Sequence, residues 1–279
     1  EMLRSLVGSE MCIRDRYDHP KRTCLEVRQG NGGEEPSLTY TTAYQTEKDS
    51  FYVTVGLWQA GQNRIFIDCN VQSPADMLSP GRIGMTAILP VRFTAMKWYG
   101  KGPLETYPDR QCGGRMGVYS EDVRNQPFYL RPQEYGLHTE SRSMRLTDPN
   151  RADFVRFEAA CPMAMSAVPY SDLQLWNARH PFELPAPEAL YVHLDYAHRG
   201  LGNSSCGPDV LPTYRIDDRP CRFGFALEAG LGEREDNPFG PIPEEIPAYH
   251  PWKAVGEQDR TPSYRDPSDP DQRSNAGMV

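Results

Sequence analysis

Apolar and polar residues alternate with a period of two along much of the chain between residues 37 and 228. In one stretch the apolar positions are Phe51, Val53, Val55 and Leu57, with polar or small residues between them. Successive side chains of a strand point to opposite faces, so this pattern predicts half-buried β-strands. The same alternation recurs around Ile67, Phe157, Leu194 and Phe225. We therefore predict an all-β fold of antiparallel sheets packed face to face.

Two segments depart from this alternation. Ser171 followed by Gln174 matches a capping box, and Pro181 cannot continue a helix, so we predict one short helix from Ser171 to His180. After Gly230 the chain is rich in proline and acidic residues and has no sustained periodicity. Residues 231–279 are therefore predicted to form a disordered or loosely docked tail.

Composition narrows the function classes. The 279 residues carry a formal charge of −8, which disfavours a broad nucleic-acid-binding surface. No apolar run approaches the roughly 20 residues that a membrane-spanning helix needs, so no membrane contact is expected. The seven cysteines are widely spaced without a Cys-x-x-Cys pair, a pattern typical of reduced thiols in a cytoplasmic protein.

The first sixteen residues are interpreted separately. They read EMLRSLVGSEMCIRDR and lack the long apolar region and cleavage site of a signal peptide. The segment resembles translated sequencing-adapter read-through, so residues 1–16 are excluded from the fold prediction. On this interpretation residues 17–230 form the folded domain, and the natural protein continues upstream of Tyr17.

Four short motifs carry a family resemblance. They are WYGKGPLETYPDR (98–110), RPQEYG (131–136), HPFELP (180–185), and LDY (194–196) followed by GLGNSSCGP (200–208). In this order they resemble the small-chain domain of glycoside hydrolase family 2 β-galactosidases. Tyr135 departs from the family pattern, which usually has Asn there. The resemblance covers about residues 38–228.

The resemblance implies both a fold and an activity. The fold is an antiparallel supersandwich of the galactose-mutarotase-like kind, N-terminally truncated because the family's earlier strands have no counterpart here. The activity is hydrolysis of terminal β-D-galactosides such as lactose, with retention of configuration. The family's two catalytic glutamates lie on a barrel that this chain does not match, so no catalytic residue is expected here and the chain alone should be inactive.

The resemblance also implies partners and cofactors. The expected partners are the catalytic barrel domain or large subunit of the same β-galactosidase, the galactoside, and further copies of an oligomeric parent. The family's Mg²⁺ and monovalent cation bind in the missing domains, so no cofactor is expected in this chain.

The loop from Gly200 to Pro208 is the best candidate for a sugar contact, because the resemblance places it at the rim of the barrel's pocket. Its small polar side chains suit sugar hydroxyls, and part of the family has a Trp at position 206 that can stack on a sugar ring. The predicted substrate-binding residues are Asn203, Ser204, Ser205 and Cys206. The alternative is a tight turn around a structural thiol.

Three carboxylates near the motifs are interpreted as structural. Glu105 and Asp109 are four residues apart, but the prolines around them forbid a regular helix that would put them on one face. We expect both to fix their own loop, with Arg110 as an ion-pair partner, and we give Glu134 the same role.

Two histidines near the end of a predicted strand are not expected to bind a metal together. His193 and His198 are five residues apart, which places them on opposite faces of a regular strand and disfavours a shared metal.

Three other functions remain open from the sequence, one of which is a purely structural domain in a family 2 enzyme with drifted specificity. The chain could be the stand-alone small subunit of a two-chain β-galactosidase, which a neighbouring large-subunit gene would favour. It could also be a non-catalytic carbohydrate-binding or mutarotase-like module, which saturable galactose binding would favour.

Overall fold

The computed structural model describes residues 20–33, 35–46, 50–73, 80–128, 134–202, 210–216 and 221–231. Residues 1–16 and 232–279, the predicted leader and nearly all of the predicted tail, lie outside these ranges. No helix in the described ranges has the length and apolar character needed to cross a membrane.

Within the described residues the chain forms eleven strands and one α-helix, and every strand pairing is antiparallel. The predicted all-β antiparallel fold with one short helix is confirmed. The strands are β1 (Lys21–Gln29), β2 (Leu38–Gln45), β3 (Ser50–Gln59), β4 (Arg64–Gln72), β5 (Arg82–Pro90), β6 (Ala95–Gly102), β7 (Arg115–Asp122), β8 (His138–Thr147), β9 (Phe154–Val168), β10 (Ala189–His198) and β11 (Cys221–Gly230). Helix α1 (Asp172–Asn177) lies between β9 and β10.

The strands form one branched sheet. Its main path runs β1-β2-β3-β4-β11-β9-β8-β6-β7. The long strand β9 pairs with β11 through its first half and with β10 through its second half. The other edge of β10 pairs with β5. The sheet therefore splits at β9, and β10 with β5 forms a second layer, the β5–β10 branch. At the far end of the main path, all nine residues of β1 are exposed.

One apolar core fills the space between the main path and the β5–β10 branch. Tyr196 of β10 stacks on Phe223 of β11 with ring centroids 5.5 Å apart, and the sulfur atoms of Cys69 on β4 and Met85 on β5 lie 3.2 Å apart. The alternating apolar positions supply the rest of this core, including Phe51, Val55, Phe157 and Phe225, each at most 2% exposed. Burial of each large side chain contributes about 1.5–3 kcal/mol, so the shared core holds the two layers together.

Helix α1 begins with the predicted capping box. The Ser171 hydroxyl accepts a hydrogen bond from the Gln174 N–H at 3.2 Å, and the Gln174 side-chain oxygen accepts one from the Ser171 N–H at 2.8 Å. The helix ends at Asn177 rather than at the predicted His180, because Ala178 already has extended backbone angles. Leu175 buries against Val168 of β9, which seats α1 on the outer face of the β5–β10 branch.

A bulge in β10 decides which of its side chains share a face. The register of β10 on β5 shifts between Asp195 and Ala197, so that Tyr196 is an extra residue. Val192, Leu194 and Tyr196 pack on the core, whereas His193, Asp195 and His198 contact groups on the outer face. The prediction that His193 and His198 lie on opposite faces is therefore wrong, because one extra residue reverses the alternation between them.

Candidate functional site

The first motif folds into a turn that its own groups fasten. Tyr107 and Arg110 exchange two backbone hydrogen bonds, with N···O distances of 3.1 and 2.8 Å. The Glu105 carboxylate accepts hydrogen bonds from the Arg110 guanidinium and, at 2.7 Å, from the backbone N–H of Gly136. The predicted role of Glu105 and Arg110 as a loop-fixing ion pair is confirmed.

The same turn is tied to the second motif and the start of β8. The Thr106 N–H donates to the Leu137 carbonyl at 2.6 Å, and the Thr139 N–H donates to the Thr106 hydroxyl at 2.8 Å. Gly136 has a φ of +73°, and a Cβ there would lie 2.9 Å from the Gln126 side-chain oxygen, so this position requires glycine. The first two motifs therefore meet in space.

Asp109 connects the turn to the chain that follows β10. One carboxylate oxygen accepts from the Leu201 N–H at 3.0 Å and the other from the Gly202 N–H at 2.7 Å. Gly200 lies so close that a Cβ on it would be 2.7 Å from the Asp109 carboxyl carbon. A Cβ on Gly202, which has a φ of +61°, would overlap the Val210 side chain. We call this arrangement of Asp109, Gly200–Gly202 and Val210 the loop neck.

The loop neck is the described part of the predicted sugar-contacting loop. Asn203, Ser204, Ser205 and Cys206 lie outside the described residues, so their contact with substrate stays a prediction. Because Gly202 lies against Val210, the chain enters and leaves residues 203–209 at nearly the same point.

The third motif forms a separate short turn beyond α1. A single 3-10 turn spans Pro181–Glu183, and the Glu183 carboxylate accepts a hydrogen bond from the Arg179 N–H at 2.8 Å. Phe182 stacks on His180 and is 83% exposed. Leu184 packs on the small apolar cluster that contains Leu175 and Tyr135, so Tyr135 links the third motif to the second.

Five buried ionisable side chains and the partly exposed Asp172 of α1 form a charge network on the outer face of the β5–β10 branch. This ionic cluster consists of Arg82, Glu134, Asp172, His193, Asp195 and His198. The Arg82 guanidinium lies at its centre, 2.7 Å from an oxygen of Asp172, 3.3 Å from Glu134 and 3.5 Å from Asp195.

The two histidines complete the ionic cluster. His198 Nε2 lies 3.7 Å from a Glu134 oxygen, and its Nδ1 lies 2.6 Å from the Arg199 carbonyl. His193 Nε2 lies 3.7 Å from an Asp172 oxygen, and its Nδ1 lies 3.1 Å from the Thr86 hydroxyl. His198 also meets Tyr107 edge to face at 5.5 Å, which joins the ionic cluster to the first motif.

Burial and charge pairing set the protonation of the ionic cluster. Burial works to raise the pKa of Glu134, but Arg82 and His198 outweigh it and lower that pKa to about 2. Burial raises the pKa of Asp195 to about 6, although Arg82 opposes the shift. For His198, burial favours the neutral ring, but the hydrogen bond and charge of Glu134 prevail and raise its pKa. Burial, with Arg82 nearby, lowers the pKa of His193.

The geometry of the ionic cluster is that of a structural network. Glu134 is 4% exposed and lies beside both Arg82 and His198, which supports the structural role expected for it. In the part of the chain that the structure describes, no group of three or more His, Cys, Asp or Glu residues could hold a metal ion. The cluster therefore fixes the β5–β10 branch against α1 and the second motif.

Three members of the ionic cluster were not identified from the sequence. Asp195 alternates with core residues, which ordinarily marks a solvated position, and Arg82 stands at the first residue of its strand. Asp172 follows a helix cap, where a carboxylate is common on the surface. The available signal was the presence of Glu134 in the second motif and of Asp195 in the fourth.

Comparison with known proteins identifies the family. The family model described as β-galactosidase small chain matches residues 13–227. This chain belongs to the β-galactosidase small-chain family. The matched region contains all four motifs, the loop neck and the ionic cluster.

Curated relatives of the chain are β-galactosidases. The enzyme of Staphylococcus xylosus is 31% identical over 156 residues, 55% of this chain and 16% of the relative. The enzyme of Arthrobacter sp. strain B7 is 33% identical over 168 residues, 57% of this chain and 16% of the relative. The enzyme of Photobacterium profundum is 28% identical over 215 residues, 75% of this chain and 20% of the relative. The chain thus corresponds to a small fraction of each relative's length.

A solved structure from Escherichia coli K12, provisionally assigned as an aldose 1-epimerase, also matches. It has a TM-score of 0.42 and 9% sequence identity, and the match covers 76% of this chain and 69% of that chain. A likeness at this level carries no argument about function.

Proposed function

We propose that this chain is the small-chain part of a glycoside hydrolase family 2 β-galactosidase, where it supplies scaffold, contacts to the catalytic part, and one loop at the rim of the active site. The observation that carries the proposal is the family match over residues 13–227. The parent enzyme hydrolyses terminal β-D-galactosides such as lactose, with retention of configuration.

The chemistry of the described carboxylates supports a non-catalytic role. A retaining glycosidase needs two carboxyl groups about 5 Å apart, one as nucleophile and one as acid/base. Glu105 and Asp109 accept hydrogen bonds from backbone N–H groups, and Glu134 is buried beside Arg82. Because these carboxylates are occupied by structural contacts, we place the nucleophile and the acid/base in the catalytic barrel or large subunit. The chain alone is therefore inactive.

The rim loop is the part of the chain proposed to contact substrate. Asn203, Ser204 and Ser205 would bond the hydroxyl groups of the galactoside, and Cys206 would lie at the edge of the same contact. The loop neck supports this role because it holds the start of the loop with two hydrogen bonds to one carboxylate. Small polar groups on a fixed base can discriminate sugar hydroxyls by direction.

The remaining parts of the proposal concern the parent protein. It is a cytoplasmic oligomer, and its Mg²⁺ and monovalent cation bind outside this chain. Nucleic acid and membrane are not partners of an acidic glycosidase of this kind.

The test is an assay of a chromogenic β-D-galactoside with the full 279-residue chain, alone and together with the catalytic part of its parent. We expect no turnover above the blank for the chain alone and hydrolysis when both parts are present. Turnover by the chain alone would contradict the proposal. Saturable binding of galactose by the isolated chain would instead favour the carbohydrate-binding or mutarotase-like alternative.

A further inference from the structure

We infer that Asp109 is a positioning residue, which fixes the direction in which the chain leaves β10 toward the rim loop. The inference rests on the proposed function, because that function gives the rim loop its contact with the galactoside. The structure assigns this task to Asp109 through contacts with Leu201 and Gly202, two consecutive residues at the start of this loop.

Both oxygens of the Asp109 carboxylate are committed to this contact. They accept from adjacent N–H groups at 3.0 and 2.7 Å, so the carboxylate defines the orientation of two successive peptide planes. Hydrogen bonds to a charged acceptor are about twice as strong as neutral ones. A neutral side chain of the same shape could not reproduce both bonds, because an amide presents one acceptor and one donor.

The backbone of the loop neck is shaped to receive this carboxylate. Gly200 leaves the space that the Asp109 carboxyl group occupies, and the Gly200 N–H donates to the Tyr214 carbonyl at 3.0 Å. Gly202 has a φ of +61° and leaves no room for a Cβ beside Val210. The neck is therefore held from the first motif on one side and from residues 210–214 on the other.

Asp109 is itself held on a rigid turn. Tyr107 is fully buried with Leu137 and Ala164, and Leu201 packs on the same apolar cluster. The two backbone hydrogen bonds between Tyr107 and Arg110 close the turn around Asp109. The position of Asp109 is thus set by the sheet, and Asp109 transmits that position to the loop neck.

This arrangement predicts an effect on substrate binding. The rim loop is proposed to contact the sugar, whereas proton transfer and nucleophilic attack belong to the catalytic part. Loss of the Asp109 contacts should therefore raise KM for the galactoside by about five- to tenfold and change kcat by less than about twofold. A general loss of folding would lower the amount of active enzyme and leave KM unchanged.

The first experiment measures hydrogen exchange on the full 279-residue chain, with Asp109→Asn as the variant. We expect the amides of Leu201 and Gly202 to exchange at least about tenfold faster, while amides in the middle of β10 keep their protection. Asp122→Asn is the matched control, because Asp122 also accepts a backbone N–H, from Arg124, at another turn. Unchanged exchange at Leu201 and Gly202 in Asp109→Asn would overturn the inference.

The second experiment measures kcat and KM of the intact β-galactosidase that contains this chain. Asp109→Asn should raise KM, and Gly202→Ala should raise it too, because the added Cβ displaces the neck from the Val210 side while Asp109 stays intact. Asp122→Asn should match the wild type. If exchange changes but KM does not, the positioning role is refuted while the proposed function stands. If the intact wild-type protein hydrolyses no galactoside, the proposed function fails, and the positioning role, which rests on it, falls too.

Discussion

Asp195 lies directly opposite Gly84 in the register between β10 and β5, and a Cβ on Gly84 would lie 2.7 Å from the Asp195 Cα. The bare backbone of Gly84 thus makes room for a buried carboxylate in the ionic cluster. This relationship joins a strand of the β5–β10 branch to the charge network on its outer face.

Gly84→Ala should therefore destabilise the chain. The added methyl group meets the backbone of β10 and cannot be relieved by a side-chain movement, so we expect a loss of about 1–3 kcal/mol in the free energy of unfolding. Urea unfolding followed by circular dichroism measures it. Gly113→Ala is the control, since a Cβ there meets nothing within 4 Å, and equal stability of the two variants would contradict the packing argument.

Removal of the central guanidinium should cost more than removal of a surface one. Arg82→Met leaves Glu134, Asp172 and Asp195 without their shared partner, and we expect a loss of about 3–5 kcal/mol. Arg64→Met breaks an exposed ion pair with Glu158, where the loss should be at most about 1 kcal/mol. The same unfolding measurement compares them, and similar losses would show that the ionic cluster is not a structural centre.

The raised pKa of Asp195 predicts a pH dependence with a definite sign. Its folded-state pKa of about 6 exceeds the unfolded value of about 3.9, so the folded state binds the proton more tightly. Below about pH 4 this group contributes its full stabilisation to the folded state. As the pH rises through about 6, that contribution to the free energy of unfolding is lost, by up to about 2–3 kcal/mol.

Asp195→Asn should remove this dependence. The difference in unfolding free energy between the variant and the wild type should move in favour of the variant from pH 4 to pH 6 and then level off. Glu134 acts in the opposite sense at lower pH, because its pKa of about 2 gives stability that is lost as the pH falls below about 4. A difference that stays constant between pH 4 and 6 would refute the assignment.

Glu105→Gln tests whether the first motif carries catalysis. Glu105 bonds Arg110 and the Gly136 N–H, so we expect a modest loss of stability and less than about a tenfold fall in kcat of the intact enzyme. Removal of a true acid/base typically lowers the rate by about 10²–10⁴-fold. A fall of that size, with normal folding, would place Glu105 in the catalytic machinery.

The alternation of apolar residues was sufficient to predict five of the strands, β3, β4, β9, β10 and β11, because each of them has one face on the core. The capping box of Ser171 and Gln174 was equally local, and both its hydrogen bonds are present. The bulge at Tyr196 could not be predicted, since nothing in the residues around it breaks the pattern of apolar positions. That single residue reversed the expected relation of His193 and His198.

The ionic cluster escaped prediction for a different reason. Arg82 and Asp195 are far apart in the sequence, and each looks like an ordinary surface charge in its own segment. Their burial depends on how α1 and the second motif cover the β5–β10 branch, which is a tertiary property. The contacts of Asp109 with Leu201 and Gly202 are non-local in the same way, although both ends lie in recognised motifs.

The exposed edge of strand β1 affects how the purified polypeptide behaves in solution. In the described residues it pairs with β2 on one side, and its full exposure leaves Leu25 and Val27 bare beside a row of backbone groups. Such a row can template the addition of a foreign strand. The cationic side chains of Lys21 and Arg22 repel a second copy stacked in parallel, whereas Arg28 is paired with Glu26, and dissolved salt weakens the repulsion. Self-association of the purified chain should therefore increase with ionic strength.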